Sequence, residues 1–160
     1  MAQNIRMTLS LIEVPAEKLG DWVANTRAGF VASLVESGET QAAAEERADQ
    51  SLSRVFPDGE LADGHVVFDA VADGVTVGRV WIGLAFGDDP AAWWVWDIEI
   101  DAEFRGRGFG RTAMLLAEDE ARSRGAQNLG LNVFGSNRIA RGLYESLGYQ
   151  TASLQMRKRL

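Results

Sequence analysis

Apolar positions along the chain switch between a period of two and a period near 3.6, and glycine or proline stands at most of the switches. Residues 5–14 are apolar and extended, a first strand (β1). Pro15 suits the first position of a helix. Leu19, Trp22, Val23, Phe30 and Leu34 then form a helical stripe (α1) that runs to about Glu36, before Ser37-Gly38. A second helix (α2), from near residue 40 to 55, carries Ala44, Ala48, Leu52 and Val55 on one face and stops at Pro57-Asp58-Gly59. Residues 65–71 and 75–86 read as strands (β2 and β3) joined by the hairpin signal Asp73-Gly74. After the turn Gly87-Asp88-Asp89-Pro90, residues 93–100 form β4, in which Ile98 and Ile100 alternate with Asp97, Glu99 and Asp101. Phe109, Ala113, Leu116, Ala117 and Ala121 give α3 its apolar face, and the helix ends near Arg124-Gly125. Residues 129–134 are a short buried strand (β5), Gly135-Ser136-Asn137 caps α4, Gly148 ends it, and residues 149–159 are a last strand (β6). The order β1-α1-α2-β2-β3-β4-α3-β5-α4-β6 predicts an α/β fold with a mixed central β-sheet flanked by helices. No repeat or linker divides it, so the expectation is one domain over residues 1–160.

The junction of β4 and α3 carries the chemistry. It reads Arg105-Gly106-Arg107-Gly108-Phe109-Gly110-Arg111. The first N–H groups of a helix lack internal partners and the macrodipole is positive there, so glycines at this point let a phosphate approach the backbone. Two common phosphate loops are excluded. A P-loop ends in Gly-Lys-Ser/Thr, and here Gly110 is followed by Arg111 and Thr112. A dinucleotide fingerprint needs its third glycine at position 111, which is Arg111.

The stretch resembles the acetyl-CoA pyrophosphate loop of the GNAT acetyltransferase superfamily, with its R/Q-x-x-G-x-G/A pattern. A second segment, Asn137-Arg138-Ile139-Ala140-Arg141-Gly142-Leu143-Tyr144-Glu145-Ser146-Leu147-Gly148-Tyr149, is similar to that superfamily's N-x-x-A-x-x-L-Y-x-x-x-G-F/Y signature. The resemblance covers roughly residues 96–160. It implies the GNAT fold and an N-acetyltransferase that uses acetyl-CoA as cosubstrate and no metal. The loop from Arg105 to Arg111 would hold the pyrophosphate through its backbone, helped by Arg105, Arg107 and Arg111. Ile98, Glu99 and Ile100 would line the pantetheine arm along the strand edge, and Asn137 would bond that arm while capping α4. Tyr144 would protonate the leaving thiolate. An alkyl ammonium must lose a proton before it attacks, and Asp97 or Glu99 would serve as base, directly or through water, or would hold a cationic substrate. The superfamily usually ends in a further hairpin, which this chain is too short to contain after Tyr149. A sheet edge left open in this way predicts a homodimer.

Residues 129–149 are also similar, without gaps, to the ribosomal-protein alanine acetyltransferases. Those enzymes carry a glutamate base where this chain has Asn132, which cannot accept a proton at neutral pH. A ribosomal N-terminus is therefore disfavoured as acceptor. A silent CoA-binding module of the same fold is the alternative to an active transferase.

Charge adds a direction. Residues 1–90 hold 6 Lys/Arg against 15 Asp/Glu, whereas residues 91–160 hold 10 against 8, within a net charge of −7. Such a chain predicts no nucleic-acid partner. An acidic front half beside a basic loop suits a cationic small-molecule or peptide amine on one side and an anionic cosubstrate on the other. The chain has no cysteine, so an acyl-enzyme through sulfur is excluded, and its one histidine, His65, reads as a strand-end residue. No apolar run reaches membrane-span length and no basic-then-apolar leader opens the chain, so the expectation is a cytoplasmic protein without a membrane partner. Trp94 and Trp96 fall on one face of β4 and Trp93 on the other, which reads as sheet packing rather than an aromatic cage.

Overall fold

The computed structural model describes residues 8–156 and residue 158. Its order is β1 (Leu9–Glu13), α1 (Leu19–Glu36), α2 (Gln41–Val55), β2 (His65–Ala72), β3 (Val75–Leu84), β4 (Ala92–Ile100), α3 (Phe109–Ser123), β5 (Asn128–Leu131) and α4 (Arg138–Ser146). The five strands form one sheet in sequence order. The β1–β2, β2–β3 and β3–β4 pairs are antiparallel and β4–β5 is parallel, so the sheet is mixed. Up to α4 the α/β order is as the sequence pattern predicts, with short helical turns added at Ala16–Lys18, Pro57–Gly59 and Ala102–Phe104.

Each face of the sheet has its own cover. Val66, Phe68, Ala70, Val80, Ile82, Trp93 and Val95 pack against Phe109, Ala113, Met114, Ala117 and Ala121 of α3. On the opposite face Val67 and Trp81 meet Trp22 of α1 and Leu52, Val55 and Phe56 around the end of α2. Val31 and Leu34 join α1 to Ala44 and Ala48 of α2. Small alanines let these two helices approach closely. The predicted stripe of α2 is buried at all four positions, and Thr40 caps it by accepting from the Ala43 N–H at 3.3 Å. Asp73 and Gly74 both take positive φ, 49° and 82°, as a tight hairpin requires.

The predicted β6 does not form. Residues 149–156 carry no strand, and Leu154 and Met156 are 73% and 83% exposed. A strand needs a paired edge and a face to bury. Here the segment pairs with no strand of the sheet and buries neither Leu154 nor Met156. Residues 5–7, 157 and 159, which the sequence reading placed in β1 and β6, lie outside the described residues.

Two irregularities shape the middle of the sheet. The β3–β4 register slips so that Trp81 pairs with Asp97 and Ile82 with Val95, leaving Trp96 as the extra residue of a bulge. The parallel pairing of β4 with β5 stops at Val95 and Leu131, while β4 continues to Ile100. Residues 96–100 therefore have a strand neighbour on one side only, and a wedge opens between β4 and β5.

Met114, fully buried where α3 meets the sheet, tests this packing. Met114→Ala should cost about 2–5 kcal/mol in a denaturant titration followed by circular dichroism, with an unchanged slope.

Candidate functional site

The glycine loop sits at the end of β4, where the wedge is open. Gly106 and Gly108 take φ values of 75° and 85°, a region that L side chains avoid. A Cβ added at either would meet nothing within 4 Å, so these glycines serve the turn, not local packing. Among the described residues no backbone carbonyl accepts from the N–H groups of residues 106–111, and the first such bond is Thr112 N–H to the Gly108 carbonyl at 3.2 Å. That run of unpartnered donors at the start of a fifteen-residue helix fits an anion.

The three arginines of the loop are turned onto the protein. Arg105 donates to the Ile100 carbonyl at 2.7 Å and to Glu99 Oε1 at 3.3 Å. Arg107 donates to the Glu103 carbonyl at 3.1 Å and lies over the Phe104 ring, 5.5 Å from its centroid. Arg111 donates to Ser146 Oγ on α4. Phe109 is buried under the loop as the first core residue of α3, and Gly110 faces Leu143 of α4, whose Cδ2 would lie 3.4 Å from an added Cβ.

Ile98 and Ile100 point to the α3 side of the sheet and Asp97 and Glu99 to the α1 side. The bulge brings this about: it places the consecutive residues Trp96 and Asp97 on one face. Trp96 stacks on Trp81 at 5.6 Å and meets Phe86 edge-on at 4.8 Å, so it is a packing residue, as expected. Trp93 is buried on the α3 side, and Trp94 lies against Gly130 of β5. His65 accepts from Trp81 Nε1 at 3.1 Å, and burial pulls its protonation below the usual range, so it stays neutral at pH 7.

Arg79, which sequence reasoning missed, organises the acidic face. Its Nε donates to Asp97 Oδ2 at 2.6 Å and its Nη2 to Glu99 Oε2 at 2.5 Å. Asp69, Arg79 and Glu99 are aligned across β2, β3 and β4 by register. Helix α1 crosses above them at Gly29, where a Cβ would come within 2.5 Å of Arg79 Nη2. Beside this crossing lies a cleft of about 380 Å3, lined by Trp22, Asn25, Asp69, Glu99 and Asp101 among others. The signal was present in the sequence. Arg79 and Asp69 interrupt otherwise apolar strands, and a charge inside a covered sheet must be paired.

On the other side of the wedge, Asn137 Oδ1 accepts from the Ala140 N–H at 3.0 Å and caps α4. Tyr144 is half-buried on α4, its ring 6.0 Å from that of Tyr149. Burial, and then the negative charge of Asp97, push the Tyr144 hydroxyl above the usual tyrosine range. Burial also raises the Asp97 carboxyl, against the pull of Arg79. Asn132 is exposed just beyond β5.

Comparison with known proteins decides the family. The model of the acetyltransferase (GNAT) family matches residues 29–149. The chain belongs to the GNAT acetyltransferase family. It is thus an acyltransferase by descent, and its relatives share that chemistry. An uncharacterized N-acetyltransferase of Bacillus subtilis (strain 168), YdgE, is 26% identical over 156 residues, covering 96% of this chain and 99% of the relative. The streptothricin acetyltransferase of Streptomyces lavendulae is 33% identical over 129 residues, 74% of this chain and 67% of that one. The ribosomal protein bS18 alanine N-acetyltransferase of Salmonella typhimurium is 39% identical over only 61 residues, 38% of this GNAT chain and 41% of that enzyme. The crystal structure of the Bacillus subtilis acetyltransferase YycN superposes with a TM-score of 0.86 at 25% identity, covering 96% of this chain and 99% of that one. No group of three or more His, Cys, Asp or Glu side chains is arranged to hold a metal among the described residues, and none of their helices is long and apolar enough to cross a membrane.

The raised Tyr144 hydroxyl has a direct check. In an absorbance titration of phenolate formation, the component lost in Tyr144→Phe should appear above pH 10, the usual tyrosine value. Asp97→Asn removes a negative charge that opposes the phenolate and should move that component to lower pH.

Proposed function

We propose that this chain transfers the acetyl group of acetyl-CoA to the primary amine of a cationic small-molecule or peptide acceptor, by direct attack in a ternary complex. The observation that carries the reading is a juxtaposition. Unpartnered N–H donors at residues 106–111 end the same strand whose α1 face presents Asp97 and Glu99. An anion can be held on one side of β4 and an ammonium on the other.

In this reading the loop backbone holds the pyrophosphate, with Arg107 and Arg111 exchanging their internal partners for phosphate oxygens and Arg105 offering its Nη1 while it keeps Ile100 and Glu99. The unpaired edge of residues 96–100 receives the pantetheine amides as a strand would, and the free amide N–H of Asn137 adds a donor. The acceptor enters by the cleft beneath α1, where Asp69, Glu99 and Asp101 favour a cation. A carboxylate, Asp97 or Glu99, takes one proton from the ammonium. The nitrogen lone pair then forms the N–C bond to the acetyl carbon as the C–S bond breaks. Tyr144, kept protonated by its surroundings, gives its proton to the sulfur, and the second nitrogen proton returns to the tyrosine oxygen. The carboxylic acid releases its proton to water. The exposed Asn132 offers no base on β5, which is why a ribosomal N-terminus is not the acceptor proposed here. The open edge of β5 and the exposed Leu154 and Met156 support a homodimer, and a cytoplasmic place of action belongs to the same reading.

Thermal unfolding with acetyl-CoA, CoA, NAD and ATP tests the cosubstrate. Acetyl-CoA at about 100 times its dissociation constant should add about 2.7 kcal/mol, and Gly108→Glu with Gly110→Glu should abolish the shift. No shift with either CoA species would overturn the reading. A shift without transfer to any amine in a panel would favour the silent CoA-binding module.

One variant and one salt series test the chemistry. Tyr144→Phe should lower kcat about 100-fold or more while CoA binding persists. Acetylation of a polyamine or amino sugar should slow with added salt, because the acidic cleft attracts a cation.

A further inference from the structure

We propose that Arg79 is the positioning residue of the transfer step, which it performs by fixing Glu99 as a strut and leaving Asp97 as the carboxylate that takes the proton. The inference rests on the transfer reaction proposed above.

The hydrogen bonds divide the two acids. Glu99 is held through both oxygens, Oε2 by Arg79 and Oε1 by Arg105. Asp97 meets a single arginine nitrogen, at Oδ2, no side chain among the described residues donates to its Oδ1, and its other donor is the Ile98 backbone N–H. A base needs a lone pair that is free to meet the ammonium, and of the two only Asp97 keeps an oxygen that no arginine holds. Arg79 suits the task because a guanidinium is planar and permanently charged, so its Nε and Nη2 can each hold one carboxylate at a fixed spacing. Its side chain is 14% exposed, against 25% for Asp97 and 35% for Glu99.

The groups around Asp97 are Arg79 from β3, Glu99 from β4 and Tyr144 from α4. Asp69, Glu99 and Asp101 face the adjoining cleft, and neutral His65 lies beyond Trp81. Helix α1 contributes no charge at its closest approach. It contributes Gly29, and that absence of a side chain gives Arg79 Nη2 its place against Glu99. Burial raises Asp97, Arg79 lowers it, Glu99 raises it and the Ile98 backbone N–H lowers it. Arg79 thus works against burial and favours the ionised carboxylate that a base must be.

The experiment measures kcat/KM against pH for the parent protein, Arg79→Gln, Arg79→Lys and Gly29→Ala. In parallel, the Asp97 carboxyl carbon is titrated by NMR in each protein without amine. In Arg79→Gln the Asp97 titration and the acid limb of kcat/KM should rise together by about 1–3 pH units, because a neighbouring positive charge has gone. Arg79→Lys should keep the Asp97 titration close to the parent's, since the charge remains. Its kcat should still fall about 10-fold to 100-fold, because a point charge does not span both carboxylates. Gly29→Ala retains every charge and displaces Nη2 while crowding Glu99 Oε2, and it should lower kcat more than it changes KM.

An Asp97 titration unmoved in Arg79→Gln would overturn the proposal. So would parental kcat in both Arg79→Lys and Gly29→Ala, and those two variants decide the matter if Arg79→Gln does not fold. If the parent acetylates no amine, the transfer reading itself fails, and the carboxyl titration still reports whether Arg79 sets the state of Asp97.

Discussion

A guanidinium placed under a helix, in the middle of a covered sheet, cannot be left alone. Removing Arg79 from water carries a large desolvation cost, which only close carboxylates offset. The α1 side of the sheet is arranged around that requirement. Register aligns Asp69, Arg79 and Glu99, the bulge at Trp96 turns Asp97 onto the same face, and α1 presents a glycine where a side chain would collide. Elsewhere the core is apolar and tolerant of volume-conserving change. Here shape and charge are fixed together.

The other side of β4 is organised by what is missing. Past Val95 the strand loses its parallel neighbour, and past Arg105 the loop leaves a run of N–H groups without acceptors among the described residues. Open backbone donors in a folded protein are costly unless water or a ligand meets them. In the proposed reaction the wedge and the loop would together give a long anionic thioester a polar track, with Tyr144 of α4 alongside it. One strand would then separate an anion-binding side from a cation-binding side. That separation is the physical reason a transferase can bring oppositely charged partners to one bond without the two competing for the same groups.

Much of this was legible in the residues. The stripe of α2, the Asp73-Gly74 turn, the Asn137 cap and the glycine loop each depend on local rules, and local rules are written in neighbouring positions. What sequence reading lost was set by distant pairing. The bulge at Trp96 depends on how β3 lies against β4. Arg79 gave a warning as a charge inside an apolar strand, but its partners stand 18 and 20 residues away. The predicted β6 alternated correctly between polar and apolar residues, yet alternation cannot supply an edge to pair with. Gly29 drew no notice in the sequence, because nothing in the stretch around it reveals what lies beneath.

The short β4–β5 pairing also bears on how the molecule assembles and breathes. β1 to β4 form a meander in which β2, β3 and β4 are joined by brief connections, so most of their contacts close small loops and can form early. β5 arrives only after the whole of α3 has crossed back, and it is held by four paired positions from Ala92↔Asn128 to Val95↔Leu131. Late closure and few contacts are the marks of a segment that opens locally at low free energy. The side of the sheet that would admit the thioester is thus the last part expected to form and the first expected to exchange its amide protons.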